Sequence, residues 1–141
     1  MIRKINEEDY PRLLEIWISA VENTHDFLKN EDFEFYKENL PTYFQYVNLV
    51  GYYTTDNILV GFAGVADHNL EMLFIHNDYR GKGIGKELLN YTIENLEVSK
   101  VDVNEQNKQA VDFYLHLGFK VINRSEKDME GKEYPILHLS R

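Results

Sequence analysis

The sequence predicts one mixed α/β domain over residues 1–141, a β-sheet flanked by helices in the order β-α-α-β-β-β-α-β-α-β-β. Two observations carry that reading. Apolar residues recur at helical spacing in separate stretches, with strand-like runs between them bounded by turn residues. No Pro/Gly/Ser-rich linker, repeat or low-complexity block divides the chain, and 141 residues are enough for one substantial core.

Taken in order, Ile2 to Ile5 reads as a short strand. Asn6 then caps a helix that carries Glu7, Glu8 and Asp9 in its first turn, where acids meet the positive end of the dipole. Tyr10, Leu13, Leu14, Trp17 and Val21 form its buried stripe. A second helix follows Asn30, with Phe33, Tyr36 and Leu40 on one side, and Pro41 is expected to break or kink it. Thr24 to Leu28, between the helices, is too short and mixed to be an element of its own.

The middle of the chain reads as a meander. Asn48 to Thr54 and Ile58 to Ala66 are strands joined by a turn at Asp56-Asn57. After a turn at Asp67-His68-Asn69, Leu70 to Ile75 is a third strand. Arg80-Gly81-Lys82-Gly83-Ile84-Gly85 interrupts the pattern and leads into a helix with Leu88, Leu89, Ile93 and Leu96 facing inward. Lys100 to Val103 is a strand, and Asn107 to Leu117 a helix that Gly118 can terminate. Phe119 to Ser125 and Tyr134 to Leu139 complete a hairpin around Gly131.

Composition excludes several chemistries. A formal charge of −9 opposes nucleic-acid binding, which needs a basic surface to displace counterions. The same charge would draw a cationic substrate toward the surface. With no cysteine there is no disulfide, thiolate nucleophile or cysteine-ligated zinc. No apolar run approaches the ~20 residues that span a bilayer, and no signal core follows Met1-Ile2-Arg3-Lys4, so a cytoplasmic enzyme without a membrane partner is expected. His68, His76, His116 and His138 lack ligand spacing and read as incidental; no metal is implied.

Three of the eight glycines, Gly81, Gly83 and Gly85, lie within five residues between a strand and a helix. Glycine permits positive φ and close approach of backbone to a ligand, so several N–H groups can converge on phosphate at the helix N-terminus. Lys82 and Lys86 would add charge. Two familiar phosphate loops do not fit. In a P-loop reading Gly81 and Gly85 are one residue too close and Glu87 stands where a hydroxyl belongs; the dinucleotide spacing fails as well. On this stretch alone, a phosphate cradle and a ligand-free tight turn both remain open.

Arg80-x-x-Gly83-x-Gly85 resembles the coenzyme-A diphosphate motif of the GNAT (Gcn5-related) N-acetyltransferases. The second signature of that superfamily follows at the expected distance: Asn107, Ala110, Phe113-Tyr114 and Gly118-Phe119. The likeness covers essentially the whole chain. Thr24 to Leu28, Val103 to Asn107, Gly118 to Val121 and Gly131 to Pro135 are similar to the bacterial YjaB-type acetyltransferases.

The resemblance implies a GNAT-like fold in which strand 70–75 splays from strand 100–103, with acetyl-CoA as cosubstrate and no metal. It implies that Leu73, Phe74 and Ile75, the turn Arg80, Gly81, Lys82, Gly83, Ile84, Gly85 and Lys86, and Asn107 and Tyr114 hold the coenzyme. The Leu73 N–H is the candidate oxyanion donor. The family position of Tyr114 implies a general acid toward the departing thiolate. Asn107 and Tyr114 are two helical turns apart, so they share a face about 10 Å along the axis.

Freeing a lysine-like amine of its proton at pH 7 costs about 4–5 kcal/mol. Glu71, beside the expected thioester and alternating with Met72 onto the face of Leu73 and Ile75, is the first candidate base; Asp102 and His25 are the others. Trp17, His25, Phe27, Tyr36 and Tyr53 are candidates to line the acceptor site. Acceptors consistent with this reading are a small-molecule amine or a protein lysine, for a monomer or homodimer. The competing reading is a non-catalytic acyl-CoA sensor or interaction domain on the same scaffold.

Overall fold

A computed structural model describes residues 1–141. Its elements are β1 (Ile2–Lys4), α1 (Tyr10–Thr24), α2 (Asn30–Phe44), β2 (Asn48–Tyr53), β3 (Leu59–Ala66), β4 (Asn69–Ile75), α3 (Ile84–Leu96), β5 (Lys100–Asn104), α4 (Lys108–His116), β6 (Lys120–Ser125) and β7 (Ile136–Ser140). The expected order is therefore observed. Asn6 starts a single 3-10 turn over Glu7–Asp9, and α1 begins only at Tyr10, with Pro11 in its first turn, where a missing N–H costs nothing.

Pro41, expected to break or kink α2, does not break it. The helix runs on to Phe44, because Leu40 and Phe44 both bury in the core and hold the last turn in place. Tertiary packing overrides the local penalty of the ring.

All seven strands form one sheet in the order β1-β2-β3-β4-β5-β7-β6. The β3–β4 hairpin closes through Asp67 and His68, both at positive φ, the turn that matches strand twist. Pairing is antiparallel except between β4 and β5, which run parallel. That parallel contact is short: only Asn69↔Lys100 and Leu70↔Val101 pair, and beyond them the two strands part. The fork between β4 and β5 is the feature on which the site is built.

Each face of the sheet carries its own core. Val60, Ala63, Leu70, Leu88, Leu89, Val101, Tyr114, Phe119 and Leu139 form one cluster, under α3 and α4. Leu13, Ile16, Trp17, Leu40, Phe44 and Phe62 form the other, under α1 and α2. The hairpin after β6 is clasped to α2 by tyrosine–carboxylate hydrogen bonds. Tyr36 donates to Asp128, Tyr134 to Asp32, and Tyr43 to Glu130 at 2.8 Å.

Candidate active site

The fork leaves one edge of β4 open, and hydrogen-bond alternation decides which residues use it. The His76 N–H donates to the Val60 carbonyl across the β3–β4 ladder. In antiparallel pairing this alternates by two, so Phe74 and Met72 also turn their backbone toward β3. Leu73 and Ile75 consequently turn their N–H and C=O groups the other way, into the gap that β5 has vacated. Both residues line a cleft of about 230 Å³, together with Phe74.

The opposite wall is α4. Asn107 caps that helix, its Oδ1 accepting from the Ala110 N–H at 3.3 Å, so its amide nitrogen remains as a donor for a ligand. Asn107, Gln109, Ala110, Phe113 and Tyr114 all line the cleft. Tyr114 is 6% exposed and packs edge-on against Phe113 and Phe119. Burial alone pushes its phenol well above the ordinary range, so at neutral pH it keeps its proton.

Between these walls lies the glycine turn. Gly81 and Gly83 adopt φ of +76° and +80°, which side-chain-bearing residues rarely adopt, and no atom comes within 4 Å of where a Cβ would stand. Their backbone is thus bare toward solvent, as a diphosphate cradle requires. Gly83 caps α3, whose first N–H groups lack helical partners. Lys82, exposed, lies over the Tyr79 ring, and Lys86 is exposed on the first turn of α3. Ile84 faces the other way into the core, so only its backbone is available. The Arg80 guanidinium donates to Gln109 on α4 and closes the end of the cleft.

Of the three candidate bases, only His25 lines this cleft. It ends α1, where its Nδ1 lies 2.6 Å from the Thr24 hydroxyl. Burial pushes its pKa down to about 4, against an opposing pull from Asp26. Glu71 sits elsewhere than predicted. Gly64 pairs with Met72 but Val65 with Leu70, so Glu71 is the extra residue of a β-bulge. Strict alternation fails there: Leu70, Leu73 and Ile75 all pack with the α3–α4 core, while Met72 and Phe74 pack with the α1–α2 core. Glu71 is charge-coupled to Asp102, which alternates with the core residues Val101 and Val103 and so lies on the opposite face. The predicted shared face with Leu73 and Ile75 is therefore wrong. Burial first, then the charges of Asp102 and Asp67, raise the Glu71 pKa.

Asp102 is occupied. One carboxylate oxygen takes His138 Nδ1 at 2.6 Å and the other the Asn69 amide at 3.1 Å. His138, expected to be incidental, is thus part of a polar chain. Asn104, two residues along β5, keeps a buried side-chain oxygen without a partner. Trp17 stacks on Phe33 in the core, Tyr36 is tied to Asp128, and Tyr53 is buried beneath Arg3; none of the three lines the cleft. Phe27 packs between His25 and Tyr134 beside it. Thr24 and Gln109 are cleft residues that sequence reasoning did not single out.

Residues 14–134 match the acetyltransferase (GNAT) domain family. The chain is 39% identical over 138 residues to the peptidyl-lysine N-acetyltransferase YjaB of Salmonella typhimurium, covering 98% of this chain and 95% of that one. The solution structure of apo-form YjaB from Escherichia coli superposes with a TM-score of 0.91 at 35% identity, over 99% of this chain and 95% of that one. PaiA N-acetyltransferase from Thermoplasma acidophilum, solved in complex with coenzyme A, shares the fold with a TM-score of 0.72 at 24% identity. There the match covers 100% of this chain and 98% of that one.

Proposed function

This chain belongs to the GNAT acetyltransferases, and we propose that it passes the acetyl group of acetyl-CoA directly to the side-chain amine of a protein lysine. The observation that carries the reading is the open edge of β4, with the Leu73 and Ile75 backbone aimed into a cleft that Tyr114 closes from the other side.

Pantetheine is an extended chain with two amides, so it fits that edge as an added strand. The bare backbone of Gly81 to Gly85 cradles the diphosphate, with Arg80, Lys82 and Lys86 supplying charge and the Asn107 amide a further donor. The Leu73 N–H then polarises the thioester carbonyl and stabilises the oxyanion formed on attack. As the tetrahedral adduct collapses, Tyr114 gives its proton to the departing sulfur. Its apolar surroundings raise the proton affinity of the thiolate as well as that of the phenolate, so the mismatch between the two stays small.

The acceptor amine approaches from the other face of the fork, where Glu71 and the unpartnered Asn104 oxygen stand. Glu71 is the base, acting directly or through one water, because its raised pKa brings it toward the operating pH. His25 is set aside on position: it lines the coenzyme side of the fork, and burial pushes its pKa down to about 4, away from the operating pH. The net charge of −9 favours a cationic acceptor.

The test is release of free CoA thiol from acetyl-CoA with lysine-containing peptides, free polyamines and no acceptor. Peptide-dependent release with acetate found on lysine Nζ is expected. Release no faster than the acceptor-free background with every amine would overturn the assignment.

A further inference from the structure

Away from the cleft, three side chains on neighbouring strands form a hydrogen-bonded line: Ser125 on β6, His138 on β7 and Asp102 on β5. The Ser125 hydroxyl oxygen is 2.7 Å from His138 Nε2, and His138 Nδ1 is 2.6 Å from Asp102 Oδ1. A carboxylate only accepts hydrogen bonds, so Nδ1 must carry the imidazole proton and donate it. In the neutral ring Nε2 then keeps its lone pair and can accept from the serine hydroxyl. Asn69, bonded to the other Asp102 oxygen at 3.1 Å, stops the carboxylate from turning away. Nucleophile, base and orienting acid thus stand in the order and at the distances that activate a serine.

Sheet register produces this. Asp102 and His138 are directly paired across β5 and β7, while Ser125 reaches His138 diagonally from β6, where a bulge between Val121 and Asn123 shifts the strand. Val101, Val103 and Leu139 alternate with them into the α3–α4 core, so the three polar groups share the other face. The His138 and Asp102 side chains are 31% and 32% exposed, shielded but open to a small solute. Because β6 is the outer strand of the sheet, it also carries backbone N–H groups without a neighbouring strand. Acetyl transfer as described above uses neither Ser125 nor His138.

We propose that Ser125 is an activated nucleophile that accepts a short acyl group from an activated ester or thioester, at a site separate from the coenzyme cleft. Ser125 Oγ bonds to the acyl carbon while its proton moves to His138 Nε2. The carbon–oxygen or carbon–sulfur bond of the donor then breaks, and the leaving group collects that proton. His138 next takes a proton from water, whose oxygen bonds to the acyl carbon; the ester C–O bond then breaks, Ser125 Oγ takes that proton back from His138, and the carboxylic acid leaves. Asp102 stabilises the imidazolium at both stages.

The probe is p-nitrophenyl acetate with the full chain and no coenzyme, so the outcome is independent of the amine-transfer reading. Expected are release of p-nitrophenolate and a hydroxylamine-labile gain of one acetyl group, mapped by peptide mass to Ser125 rather than Ser19, Ser99 or Ser140. Ser125→Ala should abolish that label while keeping peptide-dependent CoA release. His138→Gln should slow labelling by about 100-fold or more. Label spread evenly over the four serines, confined to hydroxylamine-stable lysine amides, or unchanged in folded His138→Gln would overturn the proposal. If that variant does not fold, site selectivity in the unmodified chain decides the matter.

Discussion

His25 gives the fold a pH dependence whose size follows from its position. The ring is half-buried at the end of α1 against the cleft, and desolvation lowers its pKa from an ordinary 6.5 to about 4. The unfolded chain takes up a proton at 6.5 and the folded one resists until about 4, so below 6.5 the unfolded state binds more protons. Stability from this group is flat above pH 6.5 and is lost as pH falls from 6.5 toward 4. At 1.36 kcal/mol per pH unit the full loss is about 3 kcal/mol, of which about 2 is realised by pH 4.5. His25→Asn removes the titration. Urea unfolding of both proteins at pH 7 and 4.5 isolates it, because the carboxylates are common to the two. Glu71, whose pKa is raised, acts with the opposite sign, adding stability as pH falls through its folded value, and it too cancels in the difference. The unmodified protein should lose about 2 kcal/mol more than His25→Asn between the two pH values. Equal losses would show that the ring is solvated and protonates freely, and would reopen its candidacy as a base.

The remaining predictions concern the transfer step. Tyr114→Phe should leave the dissociation constant for CoA within about two-fold, since the ring still packs, and lower kcat by about 10²-fold; calorimetry and thiol release separate the two, and unchanged turnover would remove the hydroxyl from the acid role. Gly83→Ala, at φ +80°, should strain the cradle by roughly 1–2 kcal/mol. The expected result is a lower melting temperature, because the backbone strain remains although the added methyl meets nothing, together with CoA binding weaker by about ten-fold where the turn relaxes out of the cradle conformation. Glu71→Gln should cut kcat/KM by about 10²-fold or more and remove the acid limb of the pH–rate profile. That limb should lie above the ordinary carboxylate range, given the direction of the shift; a limb that survives the substitution would assign it to another group.

Much of the fold is legible in the chain because local and global preferences agree. Three helical stripes, the Asp67-His68 turn and the glycine cluster each mean the same thing in isolation as in the assembled sheet. The cleft that the proposal gives to the coenzyme is built from locally legible parts for the same reason. Gly81 and Gly83 are demanded by positive φ, and Asn107 stands where a helix needs a cap whatever else it does. Pro41 does not break α2 because its penalty is local, whereas the burial of Leu40 and Phe44 that outweighs it is set by partners distant in the chain. The Arg80–Gln109 contact and the Ser125–His138–Asp102 line join residues 29 and 36 positions apart, and no spacing rule along one strand or helix reports them.

Glu71 shows most clearly where letters run out. Counting alternation from Leu73 back to Glu71 puts the carboxylate on the coenzyme side, and the count is sound for a regular strand. One unpaired residue opposite Gly64 and Val65 reverses it. The reversal has a chemical consequence. A carboxylate beside the thioester would repel the oxyanion that the Leu73 N–H is placed to stabilise. On the far face it stands clear of that charge, yet only two residues, about 7 Å, along the strand from Leu73. The bulge therefore sends the proposed base to the side from which, on that proposal, a cationic amine enters, while the regular stretch beyond it keeps the Leu73 and Ile75 amides turned into the fork. A strand of ordinary register could supply one of these but not both.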